Sequence, residues 1–204
     1  MTNKRNTLKL LALCAVLAGG SALISACSEP KPGFSAIDLT GADYARDFSL
    51  TDHNGQPRSL KDFAGKVVVL FFGYTQCPDV CPTTMSELVE VRKLLGKDGE
   101  RVQALFVSVD PERDTPAVLK AYMANFDPSF LALYTTPVNL EATAKNYKIY
   151  FKKVDGKTAT SYTVDHTAGS YVYDTQGKLR LYTRYGTGAA PLAADIRLLL
   201  PEKP

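Results

Sequence analysis

Histidine and cysteine are scarce in this chain, at two and four of 204 residues. Any metal site must therefore be built from a very short supply of soft ligands. An excess of charge is also missing from most of the chain. Lys4, Arg5 and Lys9 precede Cys27 with no acidic residue among them, and they account for the whole formal charge of +3. No Lys/Arg cluster interleaved with aromatics occurs, which excludes the electrostatic footprint of a nucleic-acid surface. Internal repeats and low-complexity tracts are absent as well. What the chain does have is 45% hydrophobic and 10% aromatic content, enough for one domain to bury a substantial core. Disorder and collagen-like structure are excluded on that ground.

The beginning reads as an export signal. "MTNKRNTLKLLALCAVLAGGSALISACSEP" has a basic start, an apolar stretch from Leu10 to Leu17, a Gly19-Gly20 break and then small residues, the layout of a cleaved secretory segment. Its "ISAC" resembles a bacterial lipobox, in which the cysteine is lipidated and becomes the mature N-terminus; Cys27 is the lipidation candidate. The competing reading is an uncleaved span, because Leu8 to Ala26 is nearly long enough to cross a bilayer and carries only Lys9 as a charge. The short apolar core and the glycine pair favour the cleaved signal. The expected organisation is a lipoprotein-type signal peptide over residues 1–26, a lipid-anchored flexible tether over 27–42, and a folded domain over 43–204. The domain is thus expected to be exported and membrane-anchored, facing the periplasm, where disulfides persist. Cys14 and Cys27 go to leader and anchor, which leaves Cys77 and Cys81 to the folded part.

Along that part, "RDFSLTDHNGQPRSL" carries short alternating runs around Asn54-Gly55, a strong hairpin signal. "KVVVLFFGYT" is continuously apolar, as expected of a strand covered on both faces. "PTTMSELVEVRKLLG" has helical spacing and ends on Gly96, a C-cap residue. A second buried strand, "RVQALFVSVD", precedes a helix at "TPAVLKAYMANFD" with Pro116 in its first turn. "FLALYTT" predicts a short strand and "PVNLEATAKNYKI" a helix. "SYVYDTQGKLRLYTRYG" predicts two strands joined around Gln176-Gly177, and "APLAADIRLLL" a last helix. The order βαβ then ββα is the plan of an α/β, thioredoxin-like domain: a central mixed sheet flanked by helices, with an N-terminal β extension and an insertion before the His166 loop.

"FFGYTQCPDVCPTTM" then places Cys77 in the loop after a central strand and Cys81 at the start of the next helix. A helix N-terminus stabilises nearby negative charge and lowers the pKa of a thiol there. Three readings are open. A structural disulfide closing so short a loop contributes only about 2 kcal/mol in the chain-entropy model, a weak staple for a domain with its own core. A thiol–disulfide exchanger of the thioredoxin kind uses two intervening residues and a cis proline opposite; here there are three, and "TVDHTAGSYVYD" offers His166 and no proline. In the third reading, two thiolates and the His166 imidazole form a soft, low-coordinate set suited to Cu(I) and able to hold Cu(II). The other histidine, His53, sits in the turn "TDHNGQP" and reads as solvated turn chemistry.

"CPDVCP" after "FFGYTQ", "VDPERDTP" after the second strand and "DHTAGSYVYD" near the end together resemble the Sco/SenC family. Its members are membrane-tethered, thioredoxin-like copper proteins that assist assembly of the dinuclear copper centre of respiratory cytochrome c oxidase. The resemblance implies copper, as Cu(I) or Cu(II), held by Cys77, Cys81 and His166, with both cysteines also able to form a redox disulfide. It implies a metallochaperone rather than an enzyme, with the copper-bearing oxidase subunit as partner and other periplasmic copper chaperones or thiol reductases as further ones. Asp110 is placed to support the site by hydrogen bonding, whereas Pro111, Asp114 and Pro116 are expected to shape a turn and cap a helix. Asp79 and Asp165, beside the ligands, are expected to tune local charge or simply to be solvated. The rival readings are an exocytoplasmic thiol–disulfide reductase, which needs the cysteines but tolerates loss of His166, and a redox sensor with peroxide-reactive cysteines.

Overall fold

The computed structural model describes residues 33–158 and 161–201. The expected signal peptide, Cys27 and the first part of the tether lie outside the described residues. In chain order the strands are β1 (Ile37–Asp38), β2 (Leu50–Asp52), β3 (Pro57–Arg58), β4 (Val67–Gly73), β5 (Val102–Ser108), β6 (Leu131–Tyr134), β7 (Phe151–Val154), β8 (Thr163–His166), β9 (Ser170–Tyr173) and β10 (Leu179–Thr183). The helices are α1 (Val80–Leu95) between β4 and β5, α2 (Pro116–Met123) before β6, α3 (Pro137–Tyr147) before β7, and α4 (Ala189–Leu199) at the end.

Eight strands form one mixed sheet in the order β1-β10-β9-β4-β5-β6-β2-β3. β4, β5 and β6 run parallel through the two crossovers, and β9 returns antiparallel to β4. This is the expected thioredoxin-like plan. Every residue of β4 and β5 is buried, because helices cover both faces of the parallel core. Alternate side chains of β4 serve opposite layers. Phe72 meets Tyr147 of α3, ring centroids 5.1 Å apart, while Phe71 meets Phe106, which in turn meets Tyr122 of α2. Thr115 and Thr136 cap α2 and α3, each followed by proline in the first helical turn.

The predicted hairpin at Asn54-Gly55 is present as β2 and β3, with Gly55 at φ 82° in the turn, a conformation that favours glycine. Asp52, fully buried, holds it together by accepting from the backbone N–H groups of Asn54 and Gln56 and from Arg58.

Two expectations need correction. The tether, expected to run to residue 42, ends earlier, and the compact unit begins at Phe34. β1 pairs with β10, and the buried Asp195 carboxylate of α4 accepts from the N–H groups of Ser35 and Ala36, at 2.8 Å each. Composition alone reads this segment as a linker because it packs through backbone groups and the scattered side chains of Phe34, Ala36 and Leu39 rather than through an apolar run. The insertion before His166, in turn, is an antiparallel hairpin arm, β7 with β8, forming its own two-stranded sheet. Phe151 pairs with His166, so the histidine ends a strand rather than lying in a loop. Most of the arm's side chains are exposed, which removes the apolar alternation that would have announced it.

Asp195→Ala should lower stability by about 2–3 kcal/mol, the worth of hydrogen bonds to a buried charge. Hydrogen exchange should then accelerate at Ser35 to Asp38 first; unchanged protection there would show that the carboxylate does not anchor the segment.

Candidate metal centre

β4 ends at Gly73, the chain crosses Tyr74 to Asp79, and α1 begins at Val80. Cys77 lies half-buried in the crossing, and Cys81 is fully buried in the first turn of the helix. Gly73 makes room for it. A Cβ at that position would stand 2.8 Å from Cys81 Sγ and under 3 Å from Phe71 and Phe106, at 2.7 and 2.9 Å, so the sulfur occupies the space a side chain would need. The end of β8 brings His166 over the pair. Its Nε2 lies 3.4 Å from Cys81 Sγ, and the three donor atoms all lie within 4.8 Å of one another. Among the described residues this is the one cluster of three or more Cys, His, Asp or Glu with such geometry.

The imidazole is held on several sides. Nδ1 lies 3.1 Å from the Thr167 carbonyl oxygen, which only accepts and so holds a proton on Nδ1, and Nε2 faces the sulfurs. Phe71 and Tyr74 pack edge-on against it, at centroid distances of 5.8 and 5.9 Å. The two thiols are unequal. The Cys81 thiol donating to Cys77 lowers the Cys77 pKa most; burial opposes this, and His166 with the N–H groups of Asp79 and Cys81 lowers it further, to about 3. Cys81 is pushed strongly up by that same hydrogen bond and by burial. Cys77 is thus the more acidic of the two thiols, and Cys81 the one that holds its proton.

The SCO1/SenC family model matches residues 38–201, nearly all of the described domain. The chain belongs to the SCO1/SenC family. It is similar to the copper-bound structure of ScoI from Bradyrhizobium japonicum, at 43% identity and a TM-score of 0.69, over 76% of this chain and 98% of that one. It is 29% identical to a SCO2-like protein of Rickettsia felis over 184 residues, 87% of this chain and 90% of the relative. Against the mitochondrial SCO2 homolog of Mus musculus it is 37% identical over 153 residues, 74% of this chain but 60% of that longer relative.

In this SCO1/SenC domain the "VDPERDTP" segment braces the site in ways only partly anticipated. Asp110 does not reach the sulfurs or the imidazole; it accepts from Arg113 Nε at 2.5 Å and from the Tyr162 hydroxyl at 2.7 Å. Asp114, expected to cap a helix, leaves that task to Thr115. It instead accepts from Ser108 Oγ and Thr75 Oγ1, each at 2.6 Å, tying β5 to the crossing that carries Cys77. Burial pushes the Asp114 pKa up against those hydrogen bonds, with the charge of Asp110 adding to it. Pro116 opens α2 as expected. Asp79 occupies the N-cap position of α1 without a capping side-chain bond and touches Thr83 Oγ1 at 3.5 Å. Asp165 is exposed on β8. His53 is not a solvated turn residue: its Nδ1 accepts from the Ala132 N–H at 3.1 Å, where β2 meets β6, and burial lowers its pKa. Gly73, Arg113 and Tyr162 were missed by sequence reasoning. Gly73 and Arg113 stood inside motifs whose other residues drew the attention, and Tyr162 stood in the unrecognised arm.

Two outcomes follow. Iodoacetamide should modify Cys77 at a rate nearly flat between pH 5 and 8 while sparing Cys81, because a thiolate formed at low pH gains nothing as pH rises; a tenfold rise per pH unit through neutrality would contradict the hydrogen-bonded pair. Gly73→Ala should cost about 1–3 kcal/mol from overpacking, and a crystal structure of the variant should show the Cys81 sulfur displaced from its pocket.

Proposed function

We propose that this SCO1/SenC protein is a copper metallochaperone that takes up copper on Cys77, Cys81 and His166 and passes it to the dinuclear copper centre of respiratory cytochrome c oxidase. The observation that carries this reading is the convergence of two sulfurs and an imidazole nitrogen on one point at the end of β4. The donor set fits the cargo. Ligand atoms about 2.0–2.3 Å from a common ion stand roughly 3.5–4 Å apart in a three-ligand set, close to the 3.4 Å between Cys81 Sγ and His166 Nε2. Two sulfurs and one nitrogen are soft enough for Cu(I) and can hold Cu(II) in a more tetragonal field.

The roles of the residues follow from burial and protonation. The half-buried Cys77 thiolate is the donor an arriving ion meets first. Cys81 closes on the ion from inside and releases its proton, so loading weakens on acidification. His166 presents Nε2 with no tautomer change. Three ligands leave one side open for a donor from the partner, whereas a closed tetrahedral site would retain its ion. The partner is the copper-bearing oxidase subunit, and Cys27 carries a lipid that holds the domain on the periplasmic side of the membrane. No helix among the described residues is long and apolar enough to cross a membrane.

A second reading draws on the inequality of the two thiols: a half-exposed, more acidic thiol beside a buried one is also the arrangement of a thiol–disulfide reductant, with Cys77 attacking and Cys81 resolving. Competition of the full chain with a Cu(I) chelator under anaerobic, reducing conditions separates the two. His166→Ala should weaken Cu(I) binding about tenfold or more, Cys77→Ser should abolish a thiolate-to-copper absorption band, and oxidation to the disulfide should abolish binding. Equal affinity of wild type and His166→Ala, together with turnover on a disulfide substrate, would replace the chaperone reading by the reductase.

A further inference from the structure

The two halves of the site reach one another by different routes. The cysteines belong to the main sheet through β4 and α1, but the strand that ends in His166 belongs to the separate β7–β8 sheet. No backbone ladder joins that arm to the main sheet, so side chains must set the distance from imidazole to sulfur. Arg113 hydrogen-bonds to both halves. Arg113 Nη1 donates to Gln76 Oε1 at 3.0 Å, beside Cys77, and to the Tyr162 carbonyl at 2.9 Å, on the arm. Its guanidinium also stacks on the Tyr162 ring, at 3.4 Å from the centroid, and faces Tyr74 at 5.7 Å. Tyr74 is the ring that packs edge-on against His166.

We propose that Arg113 is the positioning residue of the metal site: by bonding the cysteine crossing and the histidine arm at once, it sets whether a bound ion has three protein ligands or two. Asp110 orients it, through Nε on one side and the Tyr162 hydroxyl on the other. Lys153 closes the opposite face of the Tyr162 ring at 3.9 Å, and bonds Glu112 at 2.8 Å. The planar fork of arginine makes these bonds together; a lysine has neither the spread donors nor the flat face. Arg113 touches no donor atom of the site, so its effect passes through the placing of the histidine arm against the cysteine crossing. The inference rests on the ligand set proposed above.

The test is a double-mutant cycle in the full chain, with Cu(I) affinity read by anaerobic chelator competition for wild type, Arg113→Met, His166→Ala and the double variant. Arg113→Met should weaken binding about 10- to 100-fold, as the loss of a residue that orients a ligand does. The double variant should bind no more weakly than His166→Ala alone, to within about twofold, since a positioning role has nothing left to position. Arg113→Lys should not restore affinity. A milder variant, Tyr162→Phe, removes one hydrogen bond and should cost about fivefold, again only while His166 is present. In the metal-free protein, the same variant should speed hydrogen exchange at Val164 to Thr167. Losses that add in the double variant would mark Arg113 as merely stabilising and overturn the inference, as would wild-type affinity in Arg113→Met or Tyr162→Phe. Equal affinity of His166→Ala and wild type would instead overturn the ligand set, and this inference with it.

Discussion

The arrangement depends on a contact between residues 85 positions apart, the approach of His166 Nε2 to Cys81 Sγ. Neither partner is free to make it alone. The sulfur is set by the end of β4, where the missing side chain of Gly73 leaves the only space it can fill without displacing Phe71 or Phe106. The imidazole is set by an arm of the chain that the main sheet does not hold. Interiors pack densely enough that shifts of a few tenths of an ångström are felt, and a ligand set is more demanding still. Much of the nearby polar structure is explained by the need to fix the separate arm against the main sheet.

Two buried carboxylates carry that task on either side. Asp114 ties β5 to the crossing that bears Cys77 through Thr75 and Ser108, and Asp110 holds Arg113 and Tyr162 against the arm. Burying such groups is unfavourable unless their oxygens are filled; here each oxygen faces a donor on an element that must be kept in register with the site. The division of labour also separates structure from chemistry. The titratable groups among the donor atoms are the two unequal thiols, while the carboxylates stay one layer back.

The parts that the sequence makes legible are those whose physics is local. β4 and β5 announce themselves because strands covered on both faces must be apolar throughout, and the helices because their caps and prolines lie in sequence next to the turns they start. The cysteine pair and the histidine could be singled out because so few residues of either kind exist. The arm could not, since Phe151–Val154 and Thr163–His166 are mostly exposed and carry no periodic apolar signal. Nor could the roles of Asp114, His53 and Asp195, whose partners Thr75, Ala132 and Ser35 lie far away in the chain. A side chain that bonds a distant backbone leaves no trace in spacing. The same blindness hid β1, a two-residue edge strand whose place is decided by β10, some 140 positions later.

The complete burial of Cys81 beside a half-open Cys77 imposes an order on any transaction at this centre. Of the two sulfurs, a visiting molecule can touch only the outer one, with the half-buried imidazole beside it. On the ligand set proposed above, the two sulfurs would part from their cargo in sequence: the Cys77 bond is the one open to displacement, and Cys81, walled in by the sheet, would let go after it.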